Sequence, residues 1–502
     1  MISTTLTQHE IRFKLKSSAE YGQASFAGIA SLALALLFLL NAYRFEDGTF
    51  RPVALAACVA YLIFGALQLI VWGLVRRDLI RSGAISRGTR SLGYPLMLGL
   101  LAGNVFVAAA AFQLIKREKS ATYTLAAYTL LTTLLVFAVS ALNLFKPYVA
   151  NGFLTGMFLL LVSAAIQLIA LLLLSAYGSR AALPRWMSVV AVLLIVTAAS
   201  GNLFALFLGL LILGRLRNQG ASSGSKLGDV VERLSRSSTS MLGLLFILFL
   251  LTLSITSYLT FDYGLAVEND YGNILQPASL AHPFGTDNFG RDLFSRIVFG
   301  ARISLAVGLA STLIPLVLGG LLGAVSGYYG RHTDNVIMRA LDILYAIPGI
   351  LLAIAIIAAF GASTANLILA LSVGAIPTYA RTMRANVLLV STLEYVQAAR
   401  AFGSSDISIL FKHILPNSIA PMIVKATLTI GTAVISTSSL SYLGLGVEPH
   451  IPEWGNILKL GSAYLETHAF TAVYPGLAII LLVLSFNFLG DGLRDALDPK
   501  LD

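Results

Sequence analysis

Twelve long apolar runs separated by polar stretches organise the chain. Six come first, at about 24–43, 52–75, 91–115, 121–145, 149–178 and 187–213, and none of them holds an Asp, Glu, Lys or Arg. A Ser- and Gly-bearing linker with five basic residues, 214–238, follows. A seventh run covers about 241–261, and five more lie near 303–325, 343–360, 363–380, 421–446 and 470–490. A membrane-spanning helix needs about 20 apolar residues. The pattern therefore predicts an all-α, polytopic membrane protein of about twelve transmembrane helices, six plus six. Its expected divisions are a polar tail (1–23), a six-span region (24–213), the linker (214–238) and a second membrane domain (239–502) with polar segments at 262–302 and 381–417.

Composition supports the membrane reading. Of 502 residues 57% are hydrophobic and 12% charged, about half the charged share of a soluble domain. The net charge of +10 fits Lys and Arg gathered in cytoplasmic loops better than nucleic-acid binding. Cys58 is the only cysteine, so neither an internal disulfide nor a thiolate metal cluster is expected. Arg12, Lys14 and Lys16 precede the first run, but that run is too long for a signal peptide and more spans follow. It reads as an uncleaved first helix.

Charge also sets sidedness. Arg76, Arg77, Arg81, Arg87 and Arg90 in the second loop, the basic tail and the linker all favour the cytoplasm. The expected orientation puts both termini and 381–417 inside and 261–302 outside. The loop Lys116-Arg117-Glu118-Lys119 disagrees, because twelve crossings put it outside. The halves do not repeat each other. Polar residues within the first six runs include the amides Gln68, Asn104, Gln113, Gln167 and Asn202. Ionisable groups mark solute pathways more often than amides do, and amides bond helix to helix, so a structural role is expected for this region.

No chemical engine is visible. Gly220–Lys226 is the nearest approach to a phosphate loop, and it fails in glycine spacing and in the residue after lysine. The six histidines are scattered, and neither a nucleophile elbow nor a zinc-protease motif occurs. No catalytic residue, metal site or cofactor is expected.

The polar stretch Gln397–Pro416 breaks the apolar rhythm. Glu394–Phe402 favours helix through Ala398, Ala399 and Ala401. Gly403 suits a helix stop, Ser404 or Ser405 a new N-cap, and Pro416 a second stop. The segment resembles the "EAA" coupling loop of ABC-importer permeases, with Gln397-Ala398-Ala399, Gly403 and Leu415-Pro416 at matching spacing. Gln397 stands where that family commonly has Glu, and His413 where it has Ile. Gly285-Thr286-Asp287-Asn288-Phe289-Gly290-Arg291-Asp292-Leu293-Phe294-Ser295-Arg296 is similar to the GTD-x-x-GRD-x-x-SR signature of the dipeptide/oligopeptide/nickel permeases, C-type subunit. Gly327–Gly330, Met338-Arg339 with Asp342, Pro452–Gly455 and Gly490–Pro499 agree. The likeness runs from about Ser238 to Asp502, and the first six spans resemble no known family.

The resemblance implies a permease subunit of an ABC importer in a bacterial or archaeal inner membrane. It also implies a homologous second permease, two cytoplasmic ABC ATPases, an external binding protein, and dipeptides or oligopeptides as cargo. Physical readings stand beside it. Arg291 and Asp292 suit capping and pairing at a helix start. Arg339 and Asp342 suit a structural pair. Pro452–Gly455 reads as an external turn with an exposed aromatic. Lys425, one turn into a span, either snorkels to the headgroups or lines the translocation path. Two rivals remain open, a self-sufficient secondary transporter and a permease fused to an amino-terminal sensory or scaffold module.

Overall fold

A computed structural model describes residues 15, 18–43, 50, 52–100, 102–115, 120–177, 183–217, 226–448 and 450–497. The basic loop 116–119, the tail residues Arg12, Lys14 and Lys16, most of Gly220–Lys226 and the last five residues lie outside them. Every one of the twelve apolar runs is helical in whole or in large part. Helices of eight or more residues are α1 (Ala19–Ala42), α2 (Pro52–Ser82), α3 (Val105–Ile115), α4 (Ala121–Ala141), α5 (Phe153–Tyr177), α6 (Met187–Thr197), α7 (Leu203–Arg217), α8 (Lys226–Arg236), α9 (Ser238–Thr260), α10 (Leu293–Tyr329), α11 (Arg331–Tyr345), α12 (Gly349–Phe360), α13 (Thr364–Ser391), α14 (Glu394–Ala401), α15 (Ala420–Leu443), α16 (Trp454–Ser462) and α17 (Phe470–Leu497). Among the described residues eight helices are long and apolar enough to cross a membrane, or nine if α11 and α12, bent by 81° at Ile347-Pro348, count as one broken span.

The chain divides into two compact units. The first holds residues 1–141 and 155–238, and the second 142–154 and 239–502. The chain therefore enters the second unit twice. In the first unit α1 packs along α2 and against α3, and α4 against α7. Outward leucines and aromatics on α5, such as Leu154, Phe158, Leu161 and Leu172, present the apolar surface that a lipid environment covers.

In the second unit α10 lies along α13, with α15 and α17 packed beside them. Gly319, Gly323 and Gly327 recur every fourth residue on α10 and face the α13 backbone. A Cβ at Gly323 would come within 2.2 Å of the Ala380 carbonyl oxygen, so only glycine allows this contact. Small residues are the usual means of close helix approach without a hydrophobic drive. α10 starts at Leu293, about ten residues before its apolar run. The charges in that first stretch are internally matched. Arg302 donates to the Ser254 carbonyl and the Ser257 hydroxyl (3.0 and 2.7 Å) and stacks on Tyr258 at 3.5 Å.

Polar α11 is tied to α13. Arg384 grips Asp334 through two nitrogens at 2.6 and 2.5 Å, and Arg381 meets Asp342 at 2.6 Å. Arg339 donates to Asn335 at 3.0 Å. The expected Arg339–Asp342 pair is therefore replaced by a helix-to-helix pair, because α13 extends as helix to Ser391 and brings its arginines alongside.

Candidate coupling loop and membrane passage

The stretch after α13 folds as a knob. α14 ends at Ala401, and Gly403 takes the left-handed conformation (φ 77°). Its amide bonds the Arg400 carbonyl and the Ser404 amide the Ala399 carbonyl, at 3.0 and 3.1 Å. This closes the helix as a Schellman motif. Space does not demand glycine here, since nothing lies within 4 Å of a would-be Cβ; the backbone angle does. Ser405 accepts the Ser408 amide and caps the next turn. Pro416 does not end that segment. Residues 409–414 widen into a π turn, and Leu415–Ser418 continue as helix with Pro416 near its start, where a missing amide proton costs little.

One side of the knob is buried. Val396, Ile409, Leu410 and Ile414 pack on Met383 and Val387 of α13, Ala324 of α10 and Met422 of α15, with Ala399 and Leu415 partly covered. The other side is open. Phe402 is 90% exposed, and Ile407 and Phe411 are exposed beside it. Gln397 is exposed and donates only to the Thr392 carbonyl of its own segment, at 3.2 Å. Ala398 is also exposed. The base is thus anchored in the helix bundle while an apolar tip projects from it. Sequence reading placed the loop and missed Phe402, whose phenyl on the polar side of α14 was the available signal.

Lys425 sits on α15 and points at protein. Its Nζ donates to the Thr378 carbonyl and the Thr382 hydroxyl of α13, at 2.6 and 2.7 Å, and lies 5.2 Å from the Tyr379 ring. It lines a cavity of about 340 Å³ with Thr429, Thr432, Asp491 and Arg494. A second cavity of about 210 Å³, among α10, α12, α13 and α15, shares Thr429 and Thr432 and adds Ser311 and Ser436. Lys425, Thr429, Thr432 and Ser436 therefore form one polar stripe down α15, at helical spacing.

Thr286, Asp287, Arg291, Asp292, Ser295 and Arg296 form a buried polar knot at the end of the 261–292 segment and the start of α10. Asp287 accepts from the Phe289 and Arg291 amides and from Arg291 Nε, at 2.8, 3.0 and 2.8 Å. Arg296 is fully buried, 3.5 Å from Asp287, and donates to the Ala266 carbonyl at 2.8 Å. Gly290 lies so close to Asp270 that a Cβ would meet its carbonyl oxygen at 1.7 Å, and Gly285 packs against Phe470 and the Gln276 carbonyl. Asp292 caps α10 through the Ser295 amide. It also meets His282 at 3.0 Å and Lys146 at 2.6 Å. Arg291 and Asp292 thus have the capping and pairing roles expected of them, with Asp287 as the partner of Arg291.

Lys146 escaped sequence reading, and Glu453 was read only as part of the Pro452–Gly455 turn. Both are buried. Glu453 caps α16 through the Gly455 and Asn456 amides, at 2.9 and 3.1 Å. Burial pushes its carboxyl up, and those amides and Ser441 and Ser438 only partly offset this. Trp454 corrects the expectation of an exposed aromatic. It is fully buried, and its Nε1 donates to the Ile297 carbonyl at 2.9 Å against a close-packed Gly300.

Known proteins resemble the carboxy-terminal part of the chain. A model of the family described as binding-protein-dependent transport system inner membrane component matches residues 319–502. The glutathione transport system permease protein GsiD of Pectobacterium atrosepticum is 47% identical over 232 residues, covering 46% of this chain and 77% of the relative. The dipeptide transport system permease protein DppC of Alkalihalophilus pseudofirmus is 43% identical over 273 residues, covering 54% and 90%. Among solved structures, an inward-facing MetNI methionine ABC transporter chain is similar at TM-score 0.35 and 22% identity, over 40% of this chain and 97% of that one.

Proposed function

The chain belongs to the binding-protein-dependent transport inner-membrane components, as an ABC-importer permease of the dipeptide/oligopeptide family, and from that premise we propose that it imports short peptides by coupling a peptide passage to partner ATPases. The observation that carries the reading is the knob at 394–416: an apolar tip, Phe402 and Ile407, on a base locked into α10, α13 and α15. A push on the tip is transmitted to those helices as a rigid-body shift, the kind of motion by which alternating access proceeds. Two ATPases on the cytoplasmic face, one under this chain and one under a homologous permease, supply that push. An external binding protein delivers the cargo. Both termini and the knob face the cytoplasm.

The Lys425–Ser436 stripe on α15 is this chain's share of the passage. Hydroxyls of Thr429, Thr432 and Ser436 suit the amides of a short peptide, and Lys425 suits a carboxylate. The names of the relatives, a glutathione and a dipeptide permease, support a small peptidic cargo. Substituting Lys425→Gln is expected to change the relative uptake of acidic and neutral peptides at unchanged complex yield; identical uptake of both would remove Lys425 from the passage. The coupling role is tested by co-purification. Ala399→Trp and Phe402→Asp should each release the ATPases from the tagged chain, and full retention by both would contradict the docking assignment.

A further inference from the structure

Two of the twelve apolar runs double back on themselves. Gly209 on α7 lies against α6: a Cβ there would be 2.6 Å from Ile195 and 2.8 Å from the Ala191 carbonyl. In one continuous helix, residues as far apart as 191 and 209 stand about 27 Å apart. The chain reverses at Gly201, which is left-handed at φ 87°. The run 91–115 behaves alike. A Cβ at Gly93 would be 2.6 Å from Ile115 and 3.1 Å from the Ala111 carbonyl, one at Gly99 would be 3.3 Å from Val107, and the reversal falls at Gly103, φ 70°.

Each reversal is followed by a buried asparagine bonded to the first long helix of its own group. Asn104 exchanges hydrogen bonds with Ser31 of α1, at 2.9 and 3.2 Å. Asn202 donates to the Thr129 carbonyl and the Thr133 hydroxyl of α4, both at 2.9 Å. Ser31–Asn104 and Thr129–Asn202 both span 73 residues. The second pair lies 98 residues after the first, since 129 − 31 and 202 − 104 are both 98. Gln68-Leu69-Ile70 returns as Gln167-Leu168-Ile169 with an offset of 99. Both glutamines are buried.

The second unit supplies an independent count. Its segment 142–154 is fastened to both ends of the 261–292 segment. Asn143 donates to the Thr260 carbonyl at 2.8 Å, and Lys146 reaches Asp292 at 2.6 Å. The two segments therefore share one membrane face. Between them the chain passes through α5, the α6–α7 run and α9. α5 and α9 are long enough to cross, and a return to the same face needs an even number of crossings. The α6–α7 run adds none. Its arms, 11 and 15 residues, extend about 16 and 22 Å, short of the roughly 30 Å core.

We infer that the amino-terminal unit is a tandem duplication of one module, two crossing helices followed by a re-entrant hairpin, and that both hairpins enter from the cytoplasmic face. α1, α2 and the 93–115 hairpin form the first copy; α4, α5 and the α6–α7 hairpin form the second. With α9, α10, the broken α11–α12 span, α13, α15 and α17 this gives ten crossings among the described residues. Arg185, outside under twelve crossings, then joins Arg76–Arg90, Arg215 and Arg217 on the cytoplasmic side, as the positive-inside rule asks, and the charge anomaly of the loop after α3 disappears. The polar side chains at the reversals, Asn104 and Asn202, are tolerated at depth because they are buried in protein. Only the choice of face rests on the function proposed above.

Cysteine accessibility in intact cells tests this. In a Cys58→Ser background, single cysteines replace Ser120, Val149 and Arg185, with Tyr271→Cys and Phe402→Cys as references for the two faces. A membrane-impermeant maleimide is expected to label Val149→Cys together with Tyr271→Cys in intact cells. Ser120→Cys and Arg185→Cys should label with Phe402→Cys, only after permeabilisation. Labelling of Ser120→Cys and Arg185→Cys alongside Tyr271→Cys, with Val149→Cys protected, would restore twelve crossings and overturn the hairpins. A wholly inverted pattern that keeps Val149→Cys with Tyr271→Cys upholds the hairpins and rejects the proposed orientation instead. Ser120→Cys and Arg185→Cys probe the two hairpins separately, so one misfolded variant leaves the other decisive.

Discussion

Lys146 holds its ammonium in a site closed to solvent, 2.6 Å from Asp292 and 2.5 Å from the Ser295 hydroxyl. Burial pushes the lysine down, against the pull of Asp292. Burial pushes Asp292 up, but His282, Lys146 and Ser295 together hold it below the usual carboxylate range. Removing one member strands the other, a loss of about 3–5 kcal/mol for a buried pair. Lys146→Met should lower the thermal midpoint in detergent accordingly. Adding Asp292→Asn, which keeps an N-cap acceptor without the charge, should recover much of it. Glu453 gives a pH signature of its own. Its folded pKa is raised, so its contribution is full below the ordinary glutamate value and is lost as pH rises through the folded one. Between those values wild-type stability should fall with pH by more than that of Glu453→Gln, and parallel denaturation profiles would refute the assignment. Sequence showed Asp292 as a helix cap because the cap is local. It could not show Lys146, whose partner lies 146 residues away, nor that Trp454 turns inward to meet Ile297.

At the level of elements, the knob at 394–416 and the paired hairpins differ in how they were written. The knob was legible: a run of alanines, a glycine and a serine cap specify helix, stop and restart by local rules. Its proline was misleading, because the π turn before Pro416 absorbs the lost hydrogen bond. The hairpins were hidden because hydropathy is blind to direction, and a run that folds back is as apolar as one that crosses. Their signal was Gly103-Asn104 and Gly201-Asn202, two polar breaks at matching places. α10 was underestimated for the opposite reason. Arg296 and Arg302 interrupt its hydropathy, yet both lie against protein: Arg296 donates to the Ala266 carbonyl and faces Asp287, and Arg302 donates to Ser254 and Ser257. The knob's exposed tip yields a prediction that separates folding from docking. Phe402→Ala removes an exposed ring, so the chain's own stability should move by no more than about 0.5 kcal/mol. Affinity for the ATPase should fall by about 2 kcal/mol or more, roughly 30-fold, as for a buried aromatic anchor. Titration of the ATPase against the two chains in nanodiscs reads both.

For the molecule as a whole, the family likeness covers little more than the carboxy-terminal half, while the chain threads 142–154 from the amino-terminal half into the second unit. Removal of residues 1–213 therefore does more than delete a neighbour. It takes Lys146 from Asp292 and Asn143 from Thr260. The truncated chain should accumulate less and unfold at a lower temperature, and Asp292→Asn should rescue part of that loss; a truncation as stable as the full chain would show that the first half is separable. The coupling proposed for the 394–416 knob requires that cargo move only when an ATPase works it. The most direct measurement is peptide uptake into proteoliposomes holding the chain with its permease partner, ATPases and binding protein. Uptake should require ATP, ignore an imposed proton gradient, and stop with Phe402→Asp while the ATPases remain able to hydrolyse ATP. Uptake driven by a proton gradient without nucleotide, or undiminished in Phe402→Asp, would contradict it.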